Sequence, residues 1–351
     1  MKRVTIVGIV GIPACYGGFE SLVENLTQFA SDEVTYQVFC STNAYPEKKN
    51  SHNNAELIYL PLKANGIQSI LYDILSLVRS CFLKPDVTVI LGVSGCIFLP
   101  IYRLFSKSKV VTNIDGLEWK RDKWGSTAKK FLKFSEALAI KHSDVIIADN
   151  QAIGDYVTKE YGKNNLIIAY GGDHVIPATP PVIKQDDYFL SICRIEPENN
   201  TAMILDAFAK LDQKLKFVGN WNSSEYGRQL KVEYSKYQNI EIIDPIYDIE
   251  KLYRLRMGCK GYIHGHSAGG TNPSLVEAMH FSKPIFAFDC NFNRHSTENE
   301  AIYFSNSWQL TKQVEECDNT EKSTISADKM KEIAMRRYTW KTITKEYEST
   351  Y

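Results

Sequence analysis

Short apolar runs alternate with helix-length amphipathic stretches along most of the chain. In the first half the runs are Val4–Val10, Tyr36–Cys40, Leu57–Leu60, Val87–Leu91, Val110–Ile114, Val145–Ala148 and Leu166–Ala169. They are apolar almost throughout and rich in β-branched residues. Strands buried on both faces of a parallel sheet have this composition, whereas half-exposed strands alternate. The pattern stops at Ile176–Asp187, which holds three prolines and no apolar period. It resumes with strands at Tyr188–Cys193, Leu215–Gly219, Ile240–Ile243, Gly261–Ile263 and Pro284–Phe288. Helices fit Thr201–Leu211, Glu225–Tyr237, Ile249–Met257 and Pro273–Phe281. Two successive βαβ-type halves predict an α/β protein of two doubly wound, Rossmann-like domains. The expected boundaries are 1–177 for the first domain, 178–187 for a linker and 188–330 for the second domain. Residues 331–351 are expected to form a C-terminal helix that packs back on the first domain. Ligands of such sheets sit outside the carboxyl ends of the strands, so the domains are expected to face a central cleft.

A length of 351 residues suits two domains. Forty-one basic residues balance 41 acidic ones, which argues against a nucleic-acid partner. Eight cysteines lack a paired spacing and read as reduced thiols of a cytoplasmic protein. The apolar part of the N-terminus is too short for a signal peptide. The stretch Ile67–Leu83 carries Gln68, Asp73 and Arg79 and falls short of a membrane span. It reads as a buried helix, or alternatively as one lying on a membrane surface. From Arg103 to Lys133 there are nine basic residues and three acidic ones, a local excess that suits anionic lipid.

Three loops in the first half and its successor carry candidate chemistry. Gly8 and the segment Gly11-Ile12-Pro13-Ala14-Cys15-Tyr16-Gly17-Gly18 lie between the first strand and a helix that starts near Gly18. Such a turn offers backbone N–H groups to a phosphate or substrate oxygen. It matches neither the dinucleotide fingerprint nor the P-loop. The loop Asn113–Arg121 follows a strand and holds Asp115, Glu118 and Trp119, types suited to binding sugar hydroxyls and stacking on a sugar ring. Arg194, after the strand at 188–193, suits a pyrophosphate by its forked geometry, unless Glu196 or Glu198 takes it.

The most specific segment is Tyr262-Ile263-His264-Gly265-His266-Ser267-Ala268-Gly269-Gly270-Thr271-Asn272-Pro273-Ser274-Leu275-Val276-Glu277. A strand enters a glycine loop and Pro273 fits the first turn of a helix. Amides at Gly270, Thr271 and Asn272 are placed to meet a phosphate, and Glu277 to accept from ribose hydroxyls. His264 and His266 have no evident third ligand, so no metal is expected. His266 is instead expected to hydrogen-bond the substrate or a loop carbonyl.

Together GIPACYGGFE, NIDGLEWKR, RIEPENN and HGHSAGGTNPSLVEAM resemble the rhamnosyltransferase-like branch of glycosyltransferase family 4. The likeness spans nearly the whole chain. It implies a GT-B fold, a nucleotide-sugar donor held mainly by the C-terminal domain, an acceptor held mainly by the N-terminal domain, no metal or other cofactor, and retention of configuration. It also implies work in capsule, exopolysaccharide or O-antigen synthesis, with dTDP-rhamnose as a common donor and a lipid-linked sugar as acceptor. Two positions depart from the wider family. Gly269 stands where the first of two glutamates is usual, Glu277 matching the second. Asn199 stands where a lysine usually follows the arginine.

The resulting expectation is a cytoplasmic hexosyltransferase that moves a sugar from a dTDP- or UDP-sugar to a lipid-linked oligosaccharide, with peripheral contact to the inner membrane. Arg194 and Asp115 are the expected catalytic residues, Asp115 as a substrate binder before a base. Gly17, Gly18, Arg194, His266, Gly270, Thr271, Asn272 and Glu277 are expected at the donor, with the Gly17–Gly18 loop also serving the acceptor hydroxyl. Tyr16, Glu118 and Trp119 are expected at the acceptor. A lysine placed at 199 is expected to restore some activity to an Arg194→Ala variant. A sugar-nucleotide epimerase and a non-catalytic sugar-nucleotide-binding subunit are the alternatives.

Overall fold

The computed structural model describes residues 1–15, 17–66, 68–120, 125–317 and 321–351, without the side chain of Glu118. The chain forms two compact units, Met1–Ala169 with Trp340–Tyr351, and Tyr170–Thr339.

The first unit is built on eight strands. They are β1 (Lys2–Val7), β2 (Val34–Ser41), β3 (Ser51–His52), β4 (Ala55–Leu60), β5 (Val87–Leu91), β6 (Lys109–Asn113), β7 (Val145–Ala148) and β8 (Leu166–Ile167). Their order is β3-β4-β2-β1-β5-β6-β7-β8, and every pair but β3–β4 is parallel. Ile6 pairs with Val38 on one side and Val89 on the other, and all three are fully buried. This is why the runs read as unbroken apolar segments. The first strand ends at Val7, earlier than the apolar run suggests, because Gly8 turns the backbone at φ 99°. A Cβ there would sit 2.1 Å from the Leu91 carbonyl oxygen.

The second unit has six parallel strands, β9 (Phe189–Ile192), β10 (Leu215–Val218), β11 (Ile240–Ile243), β12 (Gly261–His264), β13 (Ile285–Phe288) and β14 (Ile302–Phe304). Their order is β11-β10-β9-β12-β13-β14. Phe189 packs its ring against Phe208 and Phe286 at 5.7 and 5.8 Å in the centre of this core. Each sheet therefore reverses its strand order once, between β1 and β5 and between β9 and β12. In doubly wound sheets ligand-binding loops gather at that reversal.

The last helix, Trp340–Ser349, belongs to the first unit, whereas Glu321–Arg337 belongs to the second. Asn113 donates to the Tyr347 hydroxyl at 2.8 Å, and Lys2 donates to the main-chain oxygen of Tyr351 at 2.8 Å. Tyr36 and Tyr351 bring their hydroxyls within 3.2 Å in a buried contact.

Candidate active site

At the strand reversal of the second sheet, two loops leave neighbouring strands. After β9, Cys193–Glu196 leads through a 3-10 turn, Pro197–Asn199, into the helix Thr201–Phe208, with Asn200 at φ 49°. After β12, residues 265–272 lead into the helix Pro273–Met279. Asn272 caps that helix, its side-chain oxygen accepting from the Ser274 N–H at 3.0 Å, and proline fills the first turn. The expected start of this helix is thus met, with the Asn272 side chain spent on capping.

Hydrogen bonds join the two loops. The Ser267 N–H and hydroxyl donate to the Glu198 carbonyl at 2.9 and 2.8 Å. Asn200 donates to the Gly265 carbonyl at 2.8 Å. Asn199 is buried and donates through Nδ2 to the Arg194 carbonyl at 2.8 Å. Its Oδ1 therefore faces His266, whose Nδ1 lies 2.8 Å away and must donate. That bond leaves Nε2 of a neutral His266 as an acceptor. The close approach explains Gly265, since a Cβ there would lie 2.2 Å from the Asn199 carbonyl oxygen. Asn199 thus acts as a clasp where a family lysine would be a cation. Gly269 has φ 112°, and a Cβ there would lie 3.2 Å from His266 Nε2, so this backbone disfavours the family's glutamate.

Arg194 is 62% exposed, its guanidinium 3.5 Å from Glu196 and 3.7 Å from Glu198. Both acidic neighbours noted in the sequence therefore pair with it. Glu277 is 16% exposed and forms an ion pair with Arg256, which is 3% exposed; His174 Nε2 lies 3.5 Å from the other carboxylate oxygen. Arg256 was not identifiable as a site residue from the sequence. Its Nε and Nη1 have no hydrogen-bond partner among the described residues, and its guanidinium lies 5.8 Å from the Phe281 ring centre. Burial pushes the His174 imidazole down, against the opposing pull of Glu277. Burial likewise holds His264 well below the ordinary histidine range, and His266 adds to that. The two rings are 6.0 Å apart. Among the described residues no group of three His, Cys, Asp or Glu is arranged to hold a metal.

In the first unit, Gly18 opens the helix Gly18–Gln28. The Gly17 N–H, expected to meet a substrate oxygen, instead donates to Glu20 at 2.9 Å, and the Val10 N–H donates to the same carboxylate at 2.8 Å. A buried carboxylate needs such donors, and Glu20 takes them from the turn itself. Asp115 and Leu117 follow β6 at φ 61° and 56°, and the Asp115 N–H donates to the Asn113 side chain at 3.0 Å. Trp119 does not present a free indole. Its Nε1 donates to Glu136 at 3.0 Å, and Lys133 sits 4.6 Å from its ring centre. Glu136 is buried and also accepts from Tyr156 at 2.6 Å and Tyr161 at 2.7 Å. The demand of that carboxylate for donors fixes Trp119 internally. Tyr16 and Arg121 lie outside the described residues, as does the Glu118 side chain.

Residues 176–337 match the family "Glycosyl transferases group 1", and residues 1–173 match a family described as "Domain of unknown function (DUF1972)". No curated protein matches the sequence significantly. Among solved structures, sucrose-phosphate synthase from Thermosynechococcus elongatus superposes with a TM-score of 0.81 at 12% identity, covering 99% of this chain and 98% of that one. HepE from Anabaena, solved in complex with UDP-glucose, gives a TM-score of 0.75 at 15% identity over 100% and 99% of the two chains. A glycosyltransferase from Rickettsia africae gives 0.73 at 12% identity over 99% and 97%. Residues 176–337 are thus a domain of the glycosyl transferases group 1 family, and the chain has a GT-B fold of two Rossmann-like sheets.

Proposed function

We propose that the protein transfers a sugar, L-rhamnose, from a dTDP- or UDP-sugar to a hydroxyl of a lipid-linked glycan during surface polysaccharide synthesis, with retention and without a metal. The observation that carries this reading is the carboxylate of Glu277. It stands one turn into the helix after the glycine loop, inside the group 1 domain, and is fixed by the buried Arg256. An oriented carboxylate is a strong acceptor for the sugar 3′-hydroxyl that dTDP and UDP share. HepE, of the same fold, was solved with UDP-glucose and with UDP, which supports a nucleotide-sugar donor here.

Arg194 is assigned to the diphosphate. Its pairs with Glu196 and Glu198 are exposed and worth at most about 1 kcal/mol, so a dianionic ligand can outcompete them. Charge grows on the leaving diphosphate as the glycosidic bond breaks, and a cation there favours the transition state over the ground state. In a retaining transfer the acceptor attacks the face the diphosphate leaves. A phosphate oxygen then takes the acceptor proton, and Asp115 serves as a binding group. His266, whose ring the bond to Asn199 orients, is assigned to a hydroxyl of the donor sugar.

The test is transfer from radiolabelled dTDP-rhamnose and UDP-glucose to a lipid-linked acceptor extract, with EDTA present. The expected product is a glycolipid with the donor's anomeric configuration. An altered nucleotide sugar in a donor-only incubation would replace this reading by epimerisation, and donor binding with no transfer would replace it by a binding subunit.

A further inference from the structure

The outer surface of the first unit carries a feature that the sugar chemistry does not use. Helices Gln68–Leu83, Leu99–Phe105 and Ser126–His142 lie side by side. Their C-terminal ends are tied together. The Ser80 and Tyr102 hydroxyls lie 3.2 Å apart, and Arg103 Nε donates to the His142 carbonyl at 2.8 Å. Away from the core these helices expose large apolar side chains. Phe82, Leu104 and Phe105 are 76%, 79% and 74% exposed, and Leu71, Leu75 and Phe134 are also exposed. Leu71, Leu75 and Phe82 follow helical spacing and share one stripe, with Arg79 beside them.

The exposed charge on this surface is mainly positive, with Asp144 at its edge paired to Arg103. The only carboxylates on the three helices, Asp73 and Glu136, are both buried. Arg79, Lys130 and Lys141 on the helices, and Lys107 just beyond the second, are exposed. Of the basic excess counted over 103–133, this set keeps Lys107 and Lys130. Arg103 is paired with Asp144 at 2.7 Å, and Lys133 is held over the Trp119 ring.

We infer that this three-helix face docks on an anionic lipid bilayer. Apolar side chains with a net excess of surrounding cations match an interfacial surface, in which the rings enter the acyl boundary and the ammonium groups meet lipid phosphates. No described helix is long and apolar enough to cross a membrane, so the contact is peripheral. A second copy of the chain is a poorer occupant, because a two-fold contact through this face sets like charges against each other. The inference deepens the lipid-linked acceptor proposed above and rests on it only for its purpose.

The test is sedimentation of the full chain with vesicles of phosphatidylcholine alone or mixed equally with phosphatidylglycerol. Binding to the mixed vesicles is expected, weakening as salt is raised. Lys107→Gln with Lys130→Gln should lower affinity roughly fivefold for each lysine. Leu104→Ser with Phe105→Ser should lower it at least about tenfold, since each loses a buried apolar contact. Both pairs are exposed, and unchanged circular dichroism checks the fold. Absence of wild-type binding overturns the inference, as does binding unaffected by either pair. So does a dimer that the serine variant converts to monomer without any vesicle binding. Sedimentation needs no turnover, so vesicle binding without transfer would fault the proposed function and leave this surface standing.

Discussion

Glu277 and Arg256 show how much a single pair sets in this protein. Arg256 is buried with two of its three guanidinium nitrogens unmatched among the described residues, so its charge depends on Glu277. Removing one partner of such a pair leaves an uncompensated buried charge. Arg256→Met is expected to cost about 3–5 kcal/mol in urea unfolding, and adding Glu277→Leu should recover much of it. If Arg256→Met unfolds at the wild-type midpoint, the pair is not structural. Glu277→Ala is expected to destabilise the fold on the same ground. Gly269→Glu, which places there the glutamate usual in the family the motifs resemble, should cost about 1–3 kcal/mol because φ 112° strains any side chain. A thermal melt equal to wild type would contradict that. Glu277 was legible in the sequence because it lies at a fixed offset from a proline-started helix. Arg256 was not, because it stands in a charged helix beside Arg254, and nothing in spacing says which arginine turns inward.

At the scale of elements, the two loops act as one piece, since Asn199 holds both Arg194 and His266. This changes one expectation. A lysine at 199 cannot simply add charge, because the site is buried and both ends of the asparagine are engaged. Asn199→Lys should therefore lower the melting temperature and fail to rescue Arg194→Ala. Arg194→Ala alone should lower turnover by about 10²–10³-fold, with partial recovery in Arg194→Lys, which lacks the bidentate fork. Near-normal turnover of a folded Arg194→Ala would move the diphosphate's cation elsewhere. The parallel strands were readable because burial on both faces removes polar positions from them. β14 escaped notice because its three residues lie between short helices with no run to stand out. For Gln68–Leu83 the sequence left two readings open, a buried helix or one on a surface. Its inner face holds Tyr72, Ser76, Leu77 and Ser80 while Leu71, Leu75 and Phe82 are exposed, so apolarity alone did not mark burial.

Over the whole molecule, buried groups of two kinds respond to pH with opposite sign. Burial lowers His174, His264 and His280 in the second unit. The unfolded chain then takes up protons that the folded chain refuses as pH falls below about 6.5, so stability is full above that value and is lost on acidification. In the first unit burial raises the Asp73 carboxyl to about 7, against hydrogen bonds from Ser94 and Gly95. Its contribution is full below about pH 4 and is lost as pH rises through about 7. Asp73→Asn should remove a loss of stability that wild type accumulates between about pH 4 and pH 7, where the histidines pull the other way. A difference in melting temperature from wild type that stays constant across that window would contradict this.

Binding of a nucleoside diphosphate by the second unit through Glu277 can be read by isothermal titration calorimetry. UDP and dTDP are titrated into wild type and Glu277→Gln, a variant that keeps a hydrogen bond to Arg256 while losing the charge. The account predicts binding of at least one nucleotide by wild type and affinity lower by roughly tenfold in the variant, because a neutral acceptor forms the weaker bond to ribose. Equal affinity in a folded Glu277→Gln, or no heat from either nucleotide with wild type, would contradict it.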